Sequence, residues 1–337
     1  MMRSTQNKIS FKYKIVAGVV LLVAMFVVSI VFGAANTTLK DVWLALTTSE
    51  SSESVLLIRE IRLPREVGAL FVGAALAVSG AIMQGMTRNP LADPGLLGLT
   101  AGANAALALT IALLPSANDF YIMIACFLGA TVGSLLLVFS IGATKKGRMS
   151  PFRIVLAGAA VSAFLTAIAE GIGIVFKISK DISMWTAGGL VGTSWSKLVL
   201  IVPVIVTGIL LSYLFSKHLT ILSLSEEVAV GLGQKTAAVK VILFIVVIML
   251  AGASVALVGN MTFVGLMIPH IVRTVAGTDY RYVIPLSAVT GAAFMLFADT
   301  LGRTINAPYE TPVAAIVAML GLPFFLLVVH RGGKAFS

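Results

Sequence analysis

Apolar runs long enough to cross a lipid bilayer recur ten times along this chain, and no other feature constrains its fold as strongly. They fall at roughly 15–33, 66–86, 97–114, 121–143, 153–176, 198–216, 240–258, 262–277, 283–302 and 312–330. A bilayer core asks for about 20 apolar residues per helical span. Lipid offers no hydrogen bonds to the backbone, so a span must satisfy its own, and runs of this length do so as helices. Composition agrees: 58% of the 337 residues are hydrophobic and 11% are charged, against about 25% charged in soluble domains. The expectation is an all-α polytopic membrane protein with ten transmembrane helices, one domain over residues 1–337, and a short cytoplasmic tail at 1–14. The first run lacks a small-residue cleavage site behind it, so it is expected to stay as a helix. The break between the seventh and eighth runs is the faintest, carried by Asn260 and glycine.

A net charge of +10 would suggest nucleic acid in a soluble protein. Here basic cytoplasmic loops account for it, and no nucleic-acid partner is expected. With the N-terminus inside, sixteen of the 24 lysines and arginines fall on the inner side and eight on the outer. Positive charge favours the cytoplasm, so both termini are expected there. Cys126 is the single cysteine, and His218, His270 and His330 are scattered. That pattern gives no disulfide and no metal site.

The longest polar interval in the C-terminal half is 222–240, which this orientation puts in the cytosol. Ser223 and Glu226 have capping-box spacing, predicting a short helix from Leu224. Gly231 and Gly233 offer places for it to stop. A second short helix is expected to run through Lys235 and Lys240 into the next span. A solvated connector is one reading, and a handle for a soluble partner is the other. Gly-Leu-Gly-Gln-Lys-Thr at 231–236 falls short of a phosphate loop, because Gln234 stands where glycine must precede the lysine.

Two spans carry ladders of small residues. Ala69, Gly73, Ala77, Ala81 and Gly85 recur at every fourth position of the second, and Ala159, Ala163, Ala167 and Gly171 do so in the fifth. Such faces let backbones approach closely, so both helices are expected at the centre of the bundle. The turn Asn89-Pro90-Leu91-Ala92-Asp93-Pro94-Gly95 forbids continuous helix. Arg62 and Arg65 sit outside against the charge trend, either snorkelling to headgroups or forming a basic contact patch. Charges within spans cost about 2.5–3.5 kcal/mol at the centre. Asp299 and Arg303, four residues apart, can offset that cost as a pair. His270, after Pro269, reads as a structural histidine. Glu170 has no local partner and is a candidate for a water-filled path.

Several of these stretches, in order, resemble one family. They are Arg62-Leu63-Pro64-Arg65, Val72 to Gly80, Asn89 to Gly98, Phe263 to Arg273, and Ala298-Asp299 before Arg303. Together they resemble the permease subunits of bacterial ABC importers for ferric siderophores, haem and vitamin B12, the FecCD family. The resemblance implies a type II ABC importer permease in the cytoplasmic membrane that acts as a dimer with a second permease chain, identical or homologous. Two cytosolic ATPase subunits and a solute-binding protein complete the assembly. The chain itself would hold no cofactor, since ATP belongs to the ATPase. It further implies that 222–240, with Ser223, Glu226, Glu227, Gly231 and Gly233, seats on the ATPase. Arg62, Arg65 and Arg303 would receive acidic residues of the binding protein. Asn89 and Leu91, with Ser150 and Pro151, would close the path inside, and the fifth span would line it. Glu170 departs from the apolar or hydroxyl residues expected there.

Ferric siderophores are the expected cargo, with haem or cobalamin as alternatives. A proton-coupled secondary transporter using Glu170 or Asp299 is a different class that leaves the capped cytosolic segment without a purpose. An intramembrane enzyme is a third, and no serine, histidine and acid arrangement or paired carboxylates support it.

Overall fold

The computed structural model describes residues 10–33, 37–48, 50, 52–142 and 151–332. The chain runs α1 (Phe11–Val31), α2 (Leu39–Thr47), α3 (Glu53–Leu57), a π-helical stretch (Ile58–Arg62) and α4 (Leu63–Thr87). A 3-10 turn (Pro94–Leu97) leads to α5 (Leu99–Leu113), α6 (Asp119–Gly142), α7 (Pro151–Val175), α8 (Ser179–Thr186) and α9 (Trp195–Leu214). Then come α10 (Ser216–Leu224), α11 (Glu226–Gly231), α12 (Thr236–Val258), α13 (Val264–Ala276), α14 (Tyr280–Thr304) and α15 (Val313–Gly332).

Among the described residues seven helices are long and apolar enough to cross a membrane, and α5, α13 and α15 are shorter apolar helices. These ten coincide with the ten predicted runs to within about one helical turn. The faint seventh break is real: Gly259 and Phe263 both take positive φ and turn the chain between α12 and α13. The short helices α2, α3 and α8 were not predicted. For α2 the signal was present, since Thr38 and Asp41 cap it reciprocally.

The bundle is built around α4, which packs against α14, α12, α13 and α9. In its most apolar stretch 83% of residues are buried. Small residues of α4, in the ladder and beside it, explain how four helices fit. A Cβ added at Gly80 would lie 1.8 Å from the Gly265 carbonyl oxygen of α13, and one at Gly73 would lie 2.3 Å from that of Gly291 in α14. Only glycine permits these backbone contacts.

The matching expectation for α7 is wrong. Its ladder residues Ala159, Ala163, Ala167 and Gly171 are exposed, and nothing lies within 4 Å of a Cβ built at Gly171. Only 22% of its most apolar stretch is buried. The helix packs on α5 and α6 through its other side. The α7 ladder is therefore left uncovered by the described residues of this chain.

The polar interval is also built differently from its prediction. The two short helices are α10 and α11, and the segment after Gly233 enters α12 directly. Ser225, whose hydroxyl accepts from the Val228 amide at 3.0 Å, is the cap of α11. Ser223 instead lies in α10 and donates to the Thr220 carbonyl. Glu226 opens α11, and its carboxylate pairs with Lys240 at 2.7 Å rather than completing a capping box. The glycine expectation holds, since α11 ends at Gly231 and Gly233 has φ 78°.

Candidate functional site

The two ends of the bundle carry different chemistry. At the end where α1 finishes and α4 begins, charge is buried. Arg62, Arg65 and Arg303 are only 5%, 7% and 3% exposed, while Glu66 and Asp299 are fully buried. Glu66 pairs with Arg303, which lies 2.9 Å from Asp299 along the α14 face as its spacing predicted. Asp299 also accepts from Arg65 at 3.0 Å, and the outward arm of Arg65 donates to both oxygens of Glu310 at 2.8 and 3.0 Å. Arg62 donates to the Ile30 carbonyl and the Thr37 hydroxyl at 2.7 and 2.6 Å.

Arg65 and Arg303 thus meet three carboxylates, while Arg62 is bonded to carbonyl and hydroxyl oxygens. The expectation of three cations open to a partner needs correction on this point. Burying an unpaired charge is so costly that the chain supplies its own counter-ions. The cluster also locks α1, α4, α14 and the 305–312 loop together. Glu310, 35% exposed at its side chain, is the member nearest solvent. A cavity of about 470 Å³ opens beside it, walled by Arg65, Glu310, Asp119, Lys197 and Trp185 among others.

The opposite end is polar and largely exposed. Glu226 and Glu227 are exposed on α11, beside Val228 and Val230, which are also exposed. The Lys240 ammonium bonded to Glu226 holds that carboxyl below its ordinary range. Behind α11, α10 is anchored through buried Leu219 and Leu222. At its N-terminus α14 is capped by Asp279, which accepts from the Arg281 amide. The Arg281 guanidinium lowers the Asp279 carboxyl from its usual range, assisted by that amide.

The turn after α4 lies at this same end. Arg88 takes a left-handed conformation that ends the helix, and the Asn89 side chain accepts from the Leu91 amide at 3.0 Å. Pro151 opens α7, and Ser150 lies outside the described residues. Glu170, expected deep in a span, is exposed on the outward side of α7, one residue before Gly171. His270 is half-buried and meets Phe324 edge-on with ring centres 5.6 Å apart, as befits a structural residue. Among the described residues no cluster of three or more His, Cys, Asp and Glu is arranged to hold a metal ion.

Sequence reasoning found Arg62, Arg65, Asp299 and Arg303 but missed Glu66 and Glu310 as their partners. Glu66 and Glu310 meet arginines 237 and 245 positions away, so no local spacing could show it.

The chain is similar to known proteins along most of its length. The family model described as the FecCD transport family matches residues 21–331. The iron(3+)-hydroxamate import system permease protein FhuB of Bacillus subtilis is 42% identical over 94% of this chain and 83% of its own length. The Fe(3+)-citrate import system permease protein YfmD of the same organism is 39% identical over 89% of each chain. A solved structure described as an inward-facing metal-chelate type ABC transporter superposes with a TM-score of 0.82 and 26% identity, covering 94% of this chain and 98% of that one. With most of its length matched by the family model and by relatives at this identity, the chain belongs to the FecCD transport family of permeases.

Proposed function

We propose that this chain is the membrane-spanning subunit of an ABC importer that carries ferric siderophores across the bacterial cytoplasmic membrane. ATP hydrolysis in a separate cytosolic subunit drives the movement. The observation that carries the reading is the match, along almost the whole chain, to a permease of an iron(3+)-hydroxamate import system. Haem and cobalamin are the competing cargoes.

In this reading both termini are cytoplasmic, so α10 and α11 face the ATPase and the arginine cluster faces the binding protein. The excess of lysine and arginine on the N-terminal side supports that orientation. The exposed carboxylates and valines of α11 form a handle for the ATPase groove. The outward ladder of α7 is the face for a second permease chain and for the path between the two, with Glu170 at its wall. Asn89, Leu91, Ser150 and Pro151 sit at the inner mouth. Docking at the outer end works by exchange: a partner's carboxylate takes the outward arm of Arg65 that Glu310 now holds. The proton-coupled alternative has little support, because Asp299 is tied to two arginines and Glu170 is exposed.

The test is uptake of radiolabelled iron(III)–desferrioxamine in a bacterial strain lacking its own hydroxamate permease, with this chain and its ATPase supplied together. Uptake that stops on ATP depletion and is not displaced by excess haem or cobalamin is the expected result. Uptake that follows the proton gradient and ignores ATP would overturn the reading.

A further inference from the structure

Beneath the exposed Glu226 end a buried chain of polar contacts joins four helices. It begins at Gln84, 1% exposed in α4. A buried amide costs stability unless its hydrogen bonds are met. The Gln84 nitrogen donates to the Gly265 and Leu266 carbonyls of α13 at 3.3 and 3.1 Å. Pro269 explains the first of these. Four residues after Gly265, it has no N–H to give, so that carbonyl lacks its helical partner.

The Gln84 oxygen in turn accepts from Arg273, further along α13. Another arm of Arg273 reaches the Tyr280 hydroxyl at 3.4 Å. Tyr280 is 2% exposed at the start of α14. Its backbone amide donates to the Thr220 hydroxyl of α10 at 2.9 Å, and that hydroxyl also lies 3.3 Å from Asp279. No carboxylate is paired with Arg273 among the described residues, so its charge is held by neutral groups. Beside it, Gly85 leaves room for α10: an added Cβ would stand 2.7 Å from Leu219 and 2.8 Å from the Tyr280 ring.

We propose that Arg273 is a positioning residue which, through Tyr280 and Gln84, ties the seating of α10 to the packing of α13 against α4. The proposal rests on the reading of α10 and α11 as the ATPase handle. A shift of α10 must carry the Tyr280 backbone with it or break the Thr220 bond, and Tyr280 in turn bounds the reach of Arg273. Hydrogen bonds are made or lost over fractions of an ångström, whereas apolar contacts slide. A polar chain therefore gives α4 and α13 discrete arrangements that follow the handle, which is what coupling between distant sites requires.

The experiment uses the whole complex in proteoliposomes: this chain with its partner permease, the ATPase, and a binding protein loaded with iron(III)–desferrioxamine. Cargo moved per ATP hydrolysed is compared for wild type, Arg273→Met, Gln84→Leu and the milder Tyr280→Phe. Arg273→Met and Gln84→Leu are expected to hold the ATPase as wild type does and keep its basal hydrolysis, while cargo per ATP falls about tenfold. The double variant should be no worse than either single one, since both cut the same link. Tyr280→Phe, which removes only the hydroxyl, should lower the ratio by about twofold and guards against loss of folding in the others. Cargo per ATP unchanged in all three, or uptake falling only in proportion to assembled complex, would overturn the proposal. A wild-type chain that holds no ATPase would instead overturn the functional reading, and this link with it.

Discussion

Helices α4 and α7 carry the same device in sequence and use it in opposite ways. Each repeats a small residue at every fourth position, and the hydropathy of both suits a span. The α4 ladder is buried, with Gly73 facing Gly291 of α14, and the neighbouring Gly80 faces Gly265 of α13. The α7 ladder looks outward, with open space over Gly171. Small-residue spacing therefore encodes the distance of approach without encoding the partner. The difference extends to charge. Glu66 at the head of α4 is buried with an arginine to meet it, whereas Glu170 of α7 is exposed.

The most severe way to break this comparison is to fill Gly80, which precedes the ladder residue Ala81 on the buried surface of α4. Gly80→Leu would drive a side chain into the α13 backbone, with a cost well beyond the roughly 1–3 kcal/mol of ordinary overpacking. Folded protein recovered from detergent, measured by size-exclusion fluorescence, is expected to vanish. Recovery at wild-type levels would mean that α4 and α13 do not touch as described.

Next in size is Asp299→Asn, which leaves Arg65 and Arg303 without their shared carboxylate. Breaking a buried pair costs about 3–5 kcal/mol, so the melting temperature should drop strongly. The corresponding change on α7, Glu170→Gln, should leave it unmoved while altering uptake. Equal thermal losses from the two would erase the contrast between buried and exposed charge.

Gly171→Leu sharpens the comparison on the α7 side. The chain should fold and insert normally, yet pairing with the second permease and uptake should fall by about tenfold, a loss of roughly 1.4 kcal/mol in assembly. Cross-linking between the two permeases measures the first and radiolabelled iron the second. Normal pairing and transport would assign the α7 face to lipid.

The smallest effect concerns Glu310→Gln at the edge of the buried cluster. Removing an intramolecular competitor worth about 0–1 kcal/mol should tighten binding-protein docking by a few-fold at most, and high salt should shrink the gain. Arg65→Glu should have the opposite sign. Weaker docking in Glu310→Gln would show that Glu310 helps the partner instead of standing in its place.

The fold was legible to the extent that it depends on solvent. Lipid excludes unpaired backbone, so apolar run length alone located the seven long apolar helices and the three shorter ones. Asp299 and Arg303 were legible as a pair because four residues make one helical turn. The cap of α11 was misassigned because Ser223 and Ser225 both precede the acidic pair, and spacing alone chose the wrong serine. Of the short helices outside the spans, α2 carried a legible cap in Thr38 and Asp41, but its packing with Ile30 and Val55 was not legible.

By itself, then, the sequence determined the class of molecule, the places of the ten apolar helices, their boundaries to about a turn, and the family. All of these follow from local composition and from motifs that are contiguous in the chain. Tertiary structure decided which ladder is inside, which carboxylates meet the arginines, and how Gln84, Arg273 and Tyr280 come to share one polar chain. Those outcomes join residues as far as 245 positions apart. Distance along the chain carries no information about such meetings, and only the packing of whole helices brings the groups within the few ångströms over which hydrogen bonds and ion pairs act.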